Sequence, residues 1–310
     1  VTAAPTQPDL SVIVVPLGGG SHLVRCLEAL RGQKDLPATE IILPMDERVP
    51  ETDAESLMVL FPELRPVRLP GRRTYAELRA AGVKAARGRL IAITEDQCIP
   101  PARWCANIVA AHQKPAAAIG GPVDKAEPDS PINWSIYLRE LGTYMTPVEE
   151  GPSPSLTDCN VTYKREALEA IAGVWAAEFH EPGVHQALAR NGPLWLSPAL
   201  VTYQQREIHV VDAIRERYEF GRLYGSLRAA QLSLAGRLLL IAASPLLPLV
   251  LVARVLRGVL RKGRYIGACF RALPWMVLWA GIWSWGELLG YATRRATPRG
   301  TAAASSALRQ

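Results

Sequence analysis

The chain has 310 residues, 35 Lys and Arg against 29 Asp and Glu, a formal net charge of +6, and a 49% hydrophobic composition. That length holds one large domain or two smaller ones with ample core. The five cysteines (Cys26, Cys98, Cys105, Cys159, Cys269) are odd in number and include no C-x-x-C pair. They argue against a disulfide framework or a zinc site and for a reducing compartment.

Residues 1–9 are a polar, proline-containing lead; VTAAPTQPDL has neither the basic start nor the apolar core of a signal peptide. LSVIVVP reads as a buried strand that feeds three glycines. SHLVRCLEALRG then reads as a helix with Leu23, Cys26, Leu27 and Leu30 on one face, Ser21 as its cap and Gly32 as its stop. Strand, glycine loop and helix is the layout of a phosphate-binding turn. Gly18 and Gly20 fill two places of a dinucleotide fingerprint, but Leu23 stands in the third, and no Lys-Ser/Thr pair makes the loop a P-loop. Taken alone, the triplet reads as readily as a flexible turn.

EIILPM is a second strand, with Asp46 at its end. DAESLMVLF is a helix, LRPVRLP a short strand, and TYAELRAAGVKAARG a helix ending at Gly88. RLIAITED is a strand that runs into Glu95 and Asp96. This alternation, with continuous apolar strands, predicts an α/β fold: a Rossmann-like, mostly parallel sheet with helices on both faces. In such sheets ligands sit at the carboxyl ends of strands. The glycine loop, Asp46 and the TED of residues 94–96 all fall at such ends.

Beyond Pro100, PARWCANIVAAH reads as a helix, AAAIGGPVD as a strand and turn, and INWSIYLRELGTYM as an aromatic-rich helix or loop. DCNVTYKREALEAIAG reads as a strand turning into a helix. EPGVHQALARNG is a short helix with Pro182 in its first turn, and LWLSPALVTYQQRE closes the domain with strand-like residues.

From about residue 207 the composition changes. VVDAIRERYEFGRLYGSLRAA is basic and aromatic, LLLIAASPLLPLVLVA is uncharged, a basic loop follows over 254–271, and ALPWMVLWAGIWSWGELLGYA carries four tryptophans and Glu287. The expected organisation is a catalytic domain over 1–205, a basic amphipathic connecting helix over 206–231, a membrane-associated pair of hydrophobic helices over 232–293, and a disordered basic tail over 294–310. Tryptophan and arginine flanking the apolar runs fit a bilayer interface. Two full spans would put the basic 254–271 loop across the membrane from the catalytic domain. Interfacial or re-entrant helices would keep every basic residue on one face. The sequence leaves both open.

With TED placed, the chain resembles the bacterial family-two glycosyltransferases of the GT-A fold, over about residues 9–205. The matching residues are SVIVVPLGGG with LVRCLEAL, EIILPMD with Asp46, LRAAGVKAARG with Arg79, Gly82 and Gly88, then TED, GGPV, CNVTYKREAL and EPGVHQALARNG. Two departures stand out: Ala80 replaces an asparagine, and Thr94 replaces the first Asp of a D-x-D signature. The resemblance implies a nucleotide-sugar donor held by Pro16, Gly18, Asp46, Arg79, Glu95 and Asp96. It implies a divalent cation, Mg or Mn, on Asp96, with Thr94 leaving metal use open.

The resemblance also implies an inverting transfer with Glu181 as the base, and His185, four residues on along the same helix face, as its helper or an acceptor contact. His22, His112, His180 and His209 show no pairing in the sequence and read as structural. The expected acceptor is a glycan or lipid-linked hydroxyl at the bacterial cytoplasmic membrane, with the catalytic domain facing the cytoplasm and no nucleic acid involved. Two other classes compete. A sugar-nucleotide nucleotidyltransferase would carry a G-x-G-T-R-like loop and a nearby lysine, which are missing. A decayed transferase kept as a membrane scaffold would draw on Thr94 and Ala80.

Overall fold

The computed structural model describes residues 7–17 and 19–295. Gly18, most of the polar lead and the basic tail beyond Arg295 lie outside the described residues. Two compact units are present among the described residues: those up to residue 127 with 144–205, and 128–143 with those from residue 206 on.

The first unit opens with β1 (Leu10–Val15), α1 (Gly20–Arg31), β2 (Thr39–Met45), α2 (Glu51–Leu60), β3 (Leu64–Arg68), α3 (Tyr75–Ala85) and β4 (Leu90–Glu95). It continues with β5 (Cys98–Ile99), α4 (Trp104–Ala111), β6 (Ala118–Gly120) and β7 (Val123–Lys125). α5 (Pro131–Glu140) belongs to the second unit. The first unit then completes itself with β8 (Gly151–Ser153), β9 (Asn160–Lys164), α6 (Arg165–Glu169), α7 (Ala172–Trp175), α8 (Glu181–Ala189), β10 (Leu194–Leu196) and β11 (Thr202–Gln204).

Eight strands form the central sheet in the order β3-β2-β1-β4-β9-β6-β10-β8; β5, β11 and β7 form a small second sheet. β1, β2, β3 and β4 are parallel, whereas β9 runs antiparallel to β4 and β6. β1 is buried throughout because both sheet faces are covered. Leu10, Val12 and Val14 pack with α1, α2 and α4, while the alternate residues Ile13 and Val15 pack with α3 and α8.

At its start α1 differs from expectation: Gly19 is the cap and Ser21 lies inside the first turn. Gly19 and Gly20 have φ of +63° and +56°, a left-handed backbone that glycine adopts without a steric penalty. Gly32 ends the helix as expected.

The second unit adds α9 (Val210–Gln231), α10 (Leu234–Ala243), α11 (Leu247–Lys262) and α12 (Ile266–Thr293) to α5. Two stretches, Leu234–Lys262 and Ile266–Thr293, are long and apolar enough to cross a membrane. The basic stretch is not a loop. Arg254, Arg257 and Arg261 lie inside α11, and the turn is only residues 263–265, with Gly263 as a left-handed C-cap. Arginine and lysine are good helix formers, so charge alone did not end the helix.

Candidate active site

β1 and β4 are in register, Val15 opposite Glu95, so the glycine turn and the TED segment end on one rim of the sheet. β9 is antiparallel to β4, Thr94 opposite Asn160, which brings the start of β9 to the same rim. The turn closes onto the TED segment: the Asp96 backbone N–H donates to the Val15 carbonyl at 3.1 Å, and the Gly19 N–H donates to Asp96 Oδ2 at 2.6 Å. Asp96 is fully buried, and Pro16 is buried at the end of β1.

A buried charge cluster lies on this rim. Arg79, from α3, donates through Nη2 to Glu95 Oε1 at 3.0 Å and to Asp158 Oδ2 at 3.3 Å. Arg79 Nε lies 2.8 Å from Oε1 of Glu181, the first residue of α8. That last contact joins the charges without the alignment of a hydrogen bond, since both atoms lack an aligned partner. Three carboxylates thus share one guanidinium. Burial pushes Glu95 up to about 8, with Asp158 adding to the rise and Arg79 opposing it. Burial likewise pushes Glu181 up to about 7, against the pull of Arg79 and with a further push from Asp158. Arg79 is held protonated more firmly than usual, because the carboxylates outweigh its own burial.

Glu95, Arg79 and Glu181 are therefore brought together, with Asp96 one residue from Glu95. Asp46 is separately engaged. Its Oδ1 accepts from Arg48 Nε at 2.9 Å; its Oδ2 accepts from Arg48 Nη2 and from the Arg73 N–H, both at 2.8 Å. Burial would raise this carboxyl, but those bonds dominate and hold it at about 2. The Arg48 guanidinium in turn sits 4.6 Å over the Tyr75 ring. His185 bonds not to Glu181 but to Tyr163, Nε2 to hydroxyl at 2.9 Å, and burial lowers it to about 4. Three of the other histidines have partners: His22 Nδ1 lies 3.2 Å from Arg25, His112 Nε2 2.7 Å from the Thr162 hydroxyl, and His180 Nε2 2.8 Å from Glu178.

Asp158 is the cluster member that sequence reasoning missed. Its only sequence signal is a carboxylate two residues ahead of a strand, and that strand's antiparallel pairing cannot be read locally. Thr94 holds the structure together at this point. It is buried, and its hydroxyl donates to the Cys159 carbonyl at 3.1 Å, tying β4 to the Asp158 segment. A carboxylate there would face a carbonyl oxygen in a buried place, which is costly.

Among the described residues no group of three or more His, Cys, Asp or Glu is arranged to hold a metal ion. Asp96 offers one hard oxygen donor group on the rim. Mg and Mn are commonly held by one or two carboxylates together with substrate phosphates and water. The donor set therefore fits a cation brought in with phosphates and does not fit a protein-enclosed one.

Comparison with solved structures returns glycosyltransferases. PcManGT, a mannosyltransferase from Pyrobaculum calidifontis described with GDP-Man and Mn2+, is 17% identical with a TM-score of 0.48, covering 99% of this chain and 82% of that one. S. aureus TarS 1–349, described with UDP-GlcNAc, is 12% identical with a TM-score of 0.49 over 70% of this chain and 65% of that one. GalNAc-T7, described with UDP, GalNAc and Mn2+, is 16% identical with a TM-score of 0.48, and the chain spans 45% of its length. Comparison with curated protein sequences gives no match. The family described as Glycosyl transferase family 2 matches residues 11–172, more than half of the sequence, from the second residue of β1 through α6, with Arg79, Glu95, Asp96 and Asp158 inside the match and Glu181 beyond it; the chain belongs to glycosyl transferase family 2.

Proposed function

We propose that this glycosyltransferase moves a sugar from a nucleotide-sugar donor to a hydroxyl of a glycan or lipid-linked acceptor at a membrane, with inversion at the anomeric carbon. The observation that carries the reading is the gathering of Arg79, Glu95, Asp158 and Glu181 on the strand-end rim that also bears the Gly19 turn and Asp96.

In the proposed step the acceptor oxygen forms a bond to the anomeric carbon as the bond from that carbon to the phosphate oxygen breaks. The nucleoside diphosphate leaves with the electron pair, and the acceptor hydroxyl proton passes to Glu181. A base works best with a pKa near the working pH, and burial places Glu181 at about 7. Arg79 fixes the Glu181 carboxylate and offsets part of the negative charge of the cluster beside which the pyrophosphate binds. His185 bonds the Tyr163 hydroxyl and so ties α8, which carries Glu181, to β9; it positions that helix and does not touch the base. Glycine-turn N–H groups at the start of α1 suit phosphate oxygens.

A divalent cation, when bound with the donor at Asp96, would neutralise charge on the leaving group. Donor sugar nucleotides are made in the cytoplasm, so the catalytic unit faces that side in this reading.

Nucleotide release, measured across a panel of UDP-, GDP- and TDP-sugars with membrane extract as acceptor, tests the proposal. Release with one donor class supports it. A protein that neither binds nor consumes any of them would favour a scaffold.

A further inference from the structure

The packing of the second unit restricts how its two apolar stretches meet a bilayer. α12 runs beside α9 with their backbones in contact. A Cβ on Gly221 would lie 2.3 Å from the Trp283 carbonyl oxygen, and one on Gly225 would lie 2.2 Å from that of Glu287. From the other side, a Cβ on Gly286 would lie 2.4 Å from the Tyr218 carbonyl oxygen, and one on Gly290 would lie 2.3 Å from that of Arg222. Each helix thus presents a G-x-x-x-G face to the other, and no larger residue fits without moving a backbone. Nearer their starts, Trp279 packs against Ala213 and Ile136, and its indole N–H donates to the Ser135 hydroxyl of α5 at 2.7 Å. The contacts advance together along both helices, so α9 and α12 run parallel.

α9 carries seven charged side chains, among them Asp212, Glu216, Arg217, Glu219 and Arg222. Each charge at the centre of a bilayer costs ~2.5–3.5 kcal/mol even on insertion scales, which give the smallest values. If α12 crossed, α9 would be drawn in with it. The first half of α12 is also tied down, by Arg271 to Asp129 at 3.1 Å. α11 folds back through the 263–265 turn, and Lys262 Nζ donates to the Thr143 carbonyl at 2.8 Å.

What α10, α11 and the short 3-10 turn between them (Ser244–Leu246) leave uncovered is apolar and basic. Leu238, Leu239, Leu246, Leu249 and Leu260 are more than half exposed. Arg254, Arg257 and Arg261, at i, i+3 and i+7, form one exposed stripe of α11. Leu249, Ala253 and Leu260, at i, i+4 and i+11, form the exposed stripe beside it. Adjoining apolar and basic stripes complement an anionic leaflet, with leucines in the acyl boundary and guanidinium groups on lipid phosphates.

We infer that the second unit is a monotopic docking surface for anionic phospholipid: α10 and α11 lie in the plane of one leaflet, and neither apolar stretch crosses the bilayer. The inference builds on the membrane setting proposed above for the acceptor. It keeps the turn between α11 and α12 on the same side of the membrane as the catalytic unit.

The test uses the full chain with one added cysteine, Arg261→Cys or Lys34→Cys; the five native cysteines are buried. In inverted cytoplasmic-membrane vesicles, a membrane-impermeant maleimide is expected to label both positions equally without detergent. Protection of Arg261→Cys until detergent is added, as a crossing or dipping hairpin requires, overturns the inference. A second measurement is flotation with phosphatidylcholine vesicles with and without phosphatidylglycerol. Changing Arg254, Arg257 and Arg261 together to Gln is expected to weaken binding to the anionic vesicles on the order of 100-fold. Binding indifferent to that change, or a native chain that binds neither vesicle, overturns the inference. Neither readout uses sugar transfer, so a failed docking surface and a failed catalytic assignment give separate results.

Discussion

Arg79 Nε and Glu181 Oε1 stand 2.8 Å apart, both side chains are buried, and the same guanidinium also holds Glu95 and Asp158. The burial of the cluster, with the charge of Asp158 adding to it, is why Glu95 and Glu181 titrate high against the pull of a single cation. It also makes Arg79 the residue on which the cluster depends. Replacing Arg79 with Met would strand Glu95 and Glu181 without a countercharge and is expected to destabilise the fold by about 3–5 kcal/mol. Arg79→Lys keeps a charge but not the fork and is expected to cost less. Thermal unfolding at neutral pH compares the two, and equal midpoints for Met, Lys and native chains would contradict the assignment.

Activity should carry the titration of Glu181. The base works only when deprotonated, so kcat/KM is expected to fall as pH drops below about 7. Asp158 raises Glu181 through its negative charge, so Asp158→Asn is expected to move that acidic limb to lower pH. Because Glu95 belongs to the same cluster, the limb reports the group and not one residue. A limb that stays in place in Asp158→Asn would detach Asp158 from the base.

Asp46 yields a stability prediction of opposite sign. Its folded pKa, about 2, is below the ordinary value of 3.8. Its ion pair with Arg48 therefore stabilises fully above that ordinary value and is lost as pH falls through about 2. Asp46→Asn is expected to cost about 1.5–3 kcal/mol at neutral pH, the range for hydrogen bonds to charged groups. The difference from the native chain should shrink steadily from pH 4 downward. Urea denaturation across that range checks it, and a constant gap would show that the charge is not what matters.

Asp96 is expected to govern the response to added Mg or Mn. Asp96→Asn retains an oxygen to accept the Gly19 N–H, so the turn should persist while the charge is lost. The expected outcome is a folded protein with reduced donor affinity and little stimulation by either cation. Stimulation equal to that of the native chain would remove Asp96 from any metal role.

The sequence displayed the first half of the sheet well, for a physical reason. β1, β2 and β4 are buried on both faces, so they appear as unbroken apolar runs, and their polar ends must lie on the ligand rim. Glu95, Asp96, Arg79 and Glu181 were legible on those grounds and from the family resemblance. Asp158 was not, because its place depends on β9 running antiparallel to β4, a long-range pairing that leaves no local mark. Thr94 was visible only as a departure; its bond to the Cys159 carbonyl explains why a hydroxyl sits there. The α9 and α12 glycines are more than sixty residues apart in the chain, and each set looks ordinary until the helices meet.

The most direct measurement pairs donor binding with transfer in Glu181→Gln. The account predicts that the variant binds the accepted sugar nucleotide like the native chain but transfers at least 100-fold more slowly, since general base catalysis contributes on the order of 100- to 10,000-fold. If the variant loses donor binding yet turns over normally at saturating donor, Glu181 serves the donor and the central claim is wrong.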